Sequence, residues 1–332
     1  MTVFATLSRK GALGVIGLVL ATVLAVGWRV RSGGRDARRH HVVLGVSTLR
    51  ISAAVFVAIE RRLFAERGLD VEVRPYPTAQ PMIDDLAAGR LDAAGYAAWP
   101  IVFLGSRRAR RPFRVATSLI EDAEHRVSTV LARRGSGLRF PASAPGRRIG
   151  VLPTVAYRRW LPAILSAAGL DPGATTVVPV DPTVQAAALR DGAVDLLFTN
   201  DPMATAIVAS GVGEIADDGP PCARRLGSPF PFGTFAMSAA LADERPETAR
   251  AMVAAVDEAI ARGTRDGAVM RRAMLPYLRP EERAFVDAYP VARYEPWSPR
   301  QHGLLRDELA REREMGIVAG DVRVGAWAAG GP

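Results

Sequence analysis

Residues 86–93 read LAAGRLDA, and residues 188–195 read ALRDGAVD. Each stretch ends a predicted helix near a glycine and then begins a short strand that carries an aspartate. The same order of strand, polar loop, helix, strand, polar loop and helix precedes both stretches. Two copies of one alternating plan predict an α/β protein with two similar lobes, each a mostly parallel sheet with helices on both faces.

The pattern extends outward from these two stretches. In the first unit it predicts strands at residues 42–46, 69–76 and 91–94 and helices up to Glu66 and Ala88. The second unit follows the Gly- and Pro-rich residues 135–146, with strands at 148–152, 176–180 and 193–199 and helices at 155–168 and 184–190. Beyond the turn-like residues 229–234 the periodicity is helical, at residues 245–262, 267–277, 280–288 and 299–314. We expect these last helices to return to the first lobe.

The net charge of +9 is unevenly distributed. Seven basic residues and one acidic residue lie within residues 1–41, so most of the excess is there. Lys10 is the only lysine, and arginine dominance fits a compositional bias of the genome. Since no basic stripe with interleaved aromatic residues occurs, the sequence argues against nucleic-acid binding.

The segment from Gly11 to Trp28 contains no charged residue and is flanked by arginines. Its length approaches that of a bilayer-spanning helix and exceeds the core of a typical cleaved signal peptide. We expect a retained membrane anchor at residues 1–41, with cleavage after Ala25 as the alternative. No cysteine lies near this segment to carry a lipid, because Cys222 is the only one.

The chain resembles the nitrate, sulfonate, taurine and thiamine-precursor branch of ABC-transporter substrate-binding proteins. The resemblance rests on ordered pieces across residues 42–265, namely residues 64–73 (FAERGLDVEV), 88–93, 146–151 (GRRIGV), 165–170, 191–195 and 244–247. It implies a two-lobed type II periplasmic-binding fold that closes around a ligand. We expect lobe one at residues 42–130 and 227–332 and lobe two at residues 131–226.

The resemblance implies function as well. It implies a periplasmic or extracytoplasmic monomer, tethered to the cytoplasmic membrane or secreted, that captures a small organic ligand and delivers it to a permease. No catalytic residue, metal site or cofactor is expected. An enzyme on the same fold is one alternative, although the cysteine-rich segment of pyrimidine-synthesising relatives is missing. A ligand sensor for a membrane receptor is another, and ligand identity and the partner permease stay open.

The chain departs from its relatives at Asn200, Asp201 and Pro202, where many have a Trp-Glu-Pro-like tripeptide. Asp201 therefore occupies the family's acidic ligand position with a side chain shorter by one methylene. A carboxylate there would accept a hydrogen bond from a ligand amine, which favours a nitrogen-bearing ligand over a bare oxyanion. The alternative is that Asp201 caps the next helix.

The remaining candidate ligand-binding residues follow predicted strands. Threonines and a glutamine occupy strand-to-helix loops, where helix amino termini attract polar groups, or they cap their own helices. Aromatic residues could line the cleft or belong to the core. The candidates are Thr48, Thr78, Gln80, Tyr96, Trp99, Thr154, Tyr157 and the weaker Thr234. Glu121 to His125 is interpreted as a solvated loop, since no second histidine completes a metal site.

Overall fold

The computed structural model describes residues 40–327. The predicted anchor and signal segment lies outside these residues. Among the helices that are described, none is long and apolar enough to span a bilayer.

The strands, in chain order, are β1 (His41–Ser47), β2 (Asp70–Tyr76), β3 (Ala93–Ala98), β4 (Arg114–Glu121), β5 (Ser128–Arg133), β6 (Arg148–Val151), β7 (Thr176–Pro179), β8 (Leu196–Asn200), β9 (Gly213–Ile215), β10 (Phe230–Met237), β11 (Arg293–Glu295) and β12 (Gly325–Ala326). The helices are α1 (Ala53–Glu60), α2 (Ala79–Ala87), α3 (Trp99–Arg108), α4 (Val155–Ala167), α5 (Gln185–Arg190), α6 (Met203–Ala209), α7 (Pro221–Leu226), α8 (Ala239–Glu244), α9 (Pro246–Arg265), α10 (Gly267–Ala273), α11 (Pro280–Arg283) and α12 (Gln301–Glu314).

These strands form two sheets, which confirms the predicted α/β fold class. The first has the order β11-β4-β10-β3-β1-β2 with β12 beside β4, and the second has the order β7-β6-β8-β5-β9. Lobe one denotes the first sheet with the helices on it, and lobe two denotes the second. Both sheets are mixed, because β10 runs antiparallel to β3 and β4, and β5 runs antiparallel to β8 and β9.

The two echoed stretches perform the same task in each lobe. Gly89 and Gly192 both have positive φ, of 74° and 73°, which favours glycine at the end of a helix. Asp92 then accepts a hydrogen bond from the backbone N–H of Val43 in β1 at 2.9 Å. Asp195 accepts one from the N–H of Arg148 in β6 at 2.8 Å. Each aspartate thus fixes the first strand of its lobe beside a later one.

The chain passes between the lobes twice. It leaves lobe one through residues 122–127, between β4 and β5, and returns through residues 227–229, between α7 and β10. The exact boundaries of the lobes stay a prediction, and β5, which spans the expected boundary at residue 130, pairs in the second sheet. In lobe one the late helices α9 and α10 pack on α1.

Glu121 organises the first connection, and the interpretation of its surroundings as a solvated loop is wrong for this residue. Its side chain is fully buried and accepts hydrogen bonds from the backbone N–H groups of Val127 and Ala223 at 3.0 and 2.8 Å. The Ser128 hydroxyl donates a further one at 2.8 Å. These donors compensate for a burial that raises the pKa of Glu121.

Candidate functional site

The lobes meet where strands end and helices begin. On lobe one these positions follow β1 and β3, and on lobe two they follow β6 and β8. Helix α3, which begins at Trp99, packs against α4, which begins after Thr154. The N–H of Val155 donates to Gln80 Oε1 at 3.4 Å, linking the amino terminus of α4 to α2 of the other lobe.

On lobe two, three predicted site residues come together. Thr154 precedes α4 at its N-cap position, but its side chain makes no capping hydrogen bond. The Tyr157 ring packs on Phe198 of β8 with centroids 4.7 Å apart, and Asn200 ends the same strand. Tyr157 also lies against Trp160 and Phe232, at 5.9 and 6.5 Å. An aromatic wall therefore supports the polar groups of Thr154, Tyr157 and Asn200.

Four of the predicted residues carry buried polar atoms that have no hydrogen-bond partner within residues 40–327. These atoms are Trp99 Nε1, Thr154 Oγ1, the Tyr157 hydroxyl and Asn200 Oδ1. Each of the four side chains is at most 4 % exposed. Buried polar atoms are normally satisfied, so a set of orphans drawn from both lobes indicates that a ligand or water supplies the missing bonds. Burial raises the pKa of Tyr157 and outweighs the effect of the Asn200 side chain, which lies close enough to the Tyr157 hydroxyl to lower that pKa, so the hydroxyl keeps a proton to donate.

Two predicted site residues are instead engaged inside lobe one. The Tyr96 hydroxyl hydrogen-bonds the Thr117 hydroxyl at 2.6 Å, and its ring packs edge-on against Tyr294 and Phe235. The Thr234 hydroxyl donates to the Thr117 carbonyl oxygen at 2.7 Å. Both side chains are fully buried within the sheet.

Two other threonines occupy the expected loops without a demonstrated contact across the lobes. Thr48 is partly buried, and its N–H donates to the Tyr76 carbonyl oxygen of β2 at 2.8 Å. Thr78 is buried at the N-cap of α2 and makes no side-chain capping bond.

Asp201 forms an ion pair that the sequence did not reveal. Its Oδ2 lies 3.0 Å from Nε of Arg50, and both side chains are 3 % exposed. Its Oδ1 accepts from the N–H and hydroxyl of Thr205 at 3.0 and 2.6 Å, so the carboxylate also caps α6. The carboxylate expected to be free for a ligand amine is thus already engaged by Arg50 and Thr205, which removes the reason to favour a nitrogen-bearing ligand.

Arg50 is the residue that sequence reasoning missed. Its guanidinium donates to the carbonyl oxygens of Arg126 and Pro290 at 2.7 and 3.2 Å, while its own N–H donates to the Asp201 carbonyl oxygen at 3.1 Å. The one available signal is an arginine directly before the apolar run of residues 51–59. A cavity of about 360 Å³ opens beside this pair, lined by Arg126, Asp201, Ala204, Val208, Ile215 and Pro290.

Within residues 40–327, no three histidine, cysteine or carboxylate side chains lie close enough together to hold a metal ion. Cys222 is fully buried, and its N–H donates to the Ser128 hydroxyl at 3.3 Å.

Comparison with known proteins identifies the family. A model of the NMT1-like family matches residues 35–274. The chain belongs to the NMT1-like family. Among curated proteins, none matches the chain.

The fold of this NMT1-like protein is shared with solved structures of low identity. The alkanesulfonate-binding protein SsuA from Xanthomonas axonopodis pv. citri, bound to MOPS, is 18% identical, with a TM-score of 0.68 over 86% of this chain and 96% of SsuA. The periplasmic aliphatic sulphonate-binding protein SsuA from Escherichia coli is 16% identical, with a TM-score of 0.66 over 85% and 95%. The periplasmic nitrate-binding protein NrtA from Synechocystis PCC 6803 is 17% identical, with a TM-score of 0.66 over 85% and 83%.

Proposed function

We propose that this NMT1-like protein is an extracytoplasmic solute-binding protein that holds one small molecule between its lobes and presents it to an ABC permease. The observation that carries the proposal is the set of four buried polar atoms without a well-formed hydrogen bond, which lie at the amino termini of the contacting helices α3 and α4 and at the end of β8. A ligand with hydrogen-bonding groups would satisfy them when the lobes close. Family membership supports the same function, as does the fold shared with sulfonate- and nitrate-binding proteins.

The character of the site limits the ligand class. The indole N–H of Trp99 donates, Asn200 Oδ1 accepts, and the hydroxyls of Thr154 and Tyr157 can do either. The charges of Arg50 and Asp201 compensate each other, which leaves no spare charge there for a ligand. We therefore expect a small organic molecule that offers both donors and acceptors. A nitrogen-bearing ligand meets this requirement, and a sulfonate-like ligand meets it when another of its groups supplies the donor. The groups of the site are neutral hydrogen-bonding groups. They support binding of the ligand and its release without a chemical change.

Two further parts of the proposal concern placement. The uncharged segment from Gly11 to Trp28 supports tethering of the chain to the cytoplasmic membrane, with the lobes on the outer side. One chain provides both lobes of the site, so a monomer is sufficient for binding. The proposed lobe boundaries are residues 42–130 with 227–332, and residues 131–226.

Thermal unfolding of the full chain in detergent, against a panel of sulfonates, nitrate, bicarbonate, pyrimidines, amines and aromatic acids, tests the proposal. A ligand at about 100 times its dissociation constant should stabilise the protein by about 2.7 kcal/mol and raise the midpoint by a few degrees. No shift with any compound would count against solute binding. A shift accompanied by turnover would indicate an enzyme.

A further inference from the structure

The last helix, α12, lies beyond residues 35–274, which match the family. It carries Glu308 and Glu312 one turn apart on one face, and both side chains are fully buried. No other residue within 40–327 donates a hydrogen bond to either oxygen of Glu308 or to Oε2 of Glu312, and the two carboxyl groups are close enough to share a hydrogen bond with each other. Two ionised carboxylates cannot share such a place, so the pair must hold at least one proton.

The pair connects α12 to lobe two. Glu312 Oε1 accepts a hydrogen bond from Nε1 of Trp160 in α4 at 3.2 Å. Trp160 in turn packs against Phe230 and Phe232, with centroids 5.4 and 4.8 Å away. Trp160 also touches Tyr157, so the residue held by Glu312 belongs to the aromatic wall of the candidate site.

The rest of α12 is attached to lobe one and to the connection between the lobes. It packs on β4 and β12. The segment that follows is held by Arg107, which donates to the Ala319 carbonyl oxygen at 2.8 Å. Arg311 lies over the ring of Phe230, the first residue after the return connection, at 5.8 Å. Helix α12 thus spans the junction about which the lobes would open.

We propose that the Glu308–Glu312 pair is a proton-dependent latch: while both carboxyl groups are protonated they keep Trp160 against α12 and the lobes closed, and ionisation of Glu308 beside Glu312 lets the lobes open. The latch positions the wall of the ligand site and therefore rests on the proposed function. It makes release of the ligand easier as the surroundings become alkaline.

The groups around the pair set the direction of this response. Burial raises the pKa of Glu308 to about 7 and raises that of Glu312 well above its ordinary value. Arg311, on the same helix, opposes the shift, with NH1 3.3 Å from Glu308 Oε2. Burial raises the pKa of the Cys222 thiol in α7, and the charges of both glutamates raise it further, so the thiol stays neutral. Strands β10 and β12 contribute no titratable side chain. On β4, Arg114 pairs with Asp243, and the charge of Glu121 raises the pKa of Cys222.

The latch is tested by the distance between the lobes of the full chain in detergent, without ligand. Spin labels are placed on the exposed positions Glu60→Cys in lobe one and Ser166→Cys in lobe two, while Cys222 is buried. The distance should lengthen as the pH rises from about 5.5 to about 8.5, across the titration of the pair. The double variant E308Q/E312Q should stay closed at both pH values. The matched control E314Q, at an exposed position of the same helix, should respond as the unaltered chain does.

A second readout needs no change in the pair. The indole N–H resonance of Trp160, assigned by its loss in W160F, should shift with a midpoint near pH 7. A lobe distance and an indole resonance that do not change with pH would overturn the latch, as would a pH response retained in E308Q/E312Q. Neither measurement uses a ligand, so failure of the latch is distinct from failure of the ligand panel.

Discussion

Nε of Arg50 lies 3.0 Å from Oδ2 of Asp201, and the two buried side chains join the end of β1 in lobe one to the end of β8 in lobe two. A pair in this position costs desolvation energy that its Coulomb attraction and hydrogen bonds must offset. The guanidinium meets that condition through two backbone carbonyl oxygens, and the carboxylate meets it through Thr205. The pair therefore holds the two lobes together in this structure.

Arg50→Met should lower the free energy of unfolding by about 3–5 kcal/mol, because it leaves Asp201 buried without its partner. Urea unfolding followed by circular dichroism measures this. Asp191→Asn is the control, since Asp191 pairs with Arg190 at the surface with side chains 63 % and 59 % exposed, and should change stability by less than about 1 kcal/mol. Equal effects at the two sites would contradict the structural role of the Arg50–Asp201 pair.

Tyr157→Phe should leave stability unchanged within about 0.5 kcal/mol, because the hydroxyl it removes faces the Asn200 side chain without making a well-formed hydrogen bond in residues 40–327. Affinity for the compound identified by the panel should fall about tenfold, or about 1.4 kcal/mol. Titration calorimetry and urea unfolding of the same samples separate the two effects.

Tyr96→Phe is the matched control for that variant. It removes a hydroxyl bonded to Thr117 and should cost about 1 kcal/mol of stability with no change in affinity. If the two variants behaved the other way round, Tyr96 would be the ligand residue and Tyr157 part of the core.

Stability should fall as the pH rises from about 5 to about 7, by about 3 kcal/mol from Glu308 alone. The sign follows from Glu308: its pKa in the folded chain is about 7, above the ordinary 4.5, so between these values the unfolded chain has released a proton that the folded chain still holds, and stability falls as the pH rises until it levels off above pH 7. E308Q should remove the part of the slope near pH 7. The slope at lower pH should persist in E308Q, because it comes from Asp257, whose burial raises its pKa to about 6.

Urea unfolding at several pH values measures this slope. Carboxyl groups with a lowered pKa make stability rise with pH instead. Asp85, whose pKa is lowered by its hydrogen bond from Arg90, is an example, but its effect is confined to pH values below about 4. A slope near pH 7 that E308Q leaves intact would show that another group is responsible.

Gly233→Ala should lower the free energy of unfolding by about 2–3 kcal/mol. A methyl group at Gly233 would lie 2.5 Å from the Ala97 carbonyl oxygen, where β10 passes β3 and the backbone cannot move aside. Gly303→Ala in α12 meets nothing within 4 Å and should stabilise by up to about 1 kcal/mol. Thermal unfolding of both variants checks the prediction, and a harmless change at Gly233 would argue against the β3–β10 register.

Hydrophobic periodicity predicted those strands and helices whose buried faces follow from the local sequence. The strand expected at residues 148–152 is β6, and the helix expected at residues 155–168 is α4. Strands β4, β5 and β10 were not predicted, because they are defined by antiparallel partners distant in the chain. Pro231 and Gly233 give β10 the appearance of a turn, and only pairing with β3 and β4 makes it a strand.

The site was predictable in part for the same reason. The polar loops after β6 and β8 indicated Thr154, Tyr157 and Asn200, whose orphan atoms now support the proposed site. No local pattern could show that Asp201 would meet Arg50, 151 positions away, nor that Thr117 would satisfy Tyr96. Similarly, helical spacing predicted α12 but gave no sign that its glutamates are buried against Trp160.

Native mass spectrometry of the full chain, released from detergent after incubation with the compound that raises its unfolding temperature, tests the central claim most directly. We expect one ligand per chain, recovered with its mass unchanged after prolonged incubation, and loss of most of the complex in the variant Y157F. Failure of every compound of the panel to form a complex, or recovery of a ligand with altered mass, would contradict it.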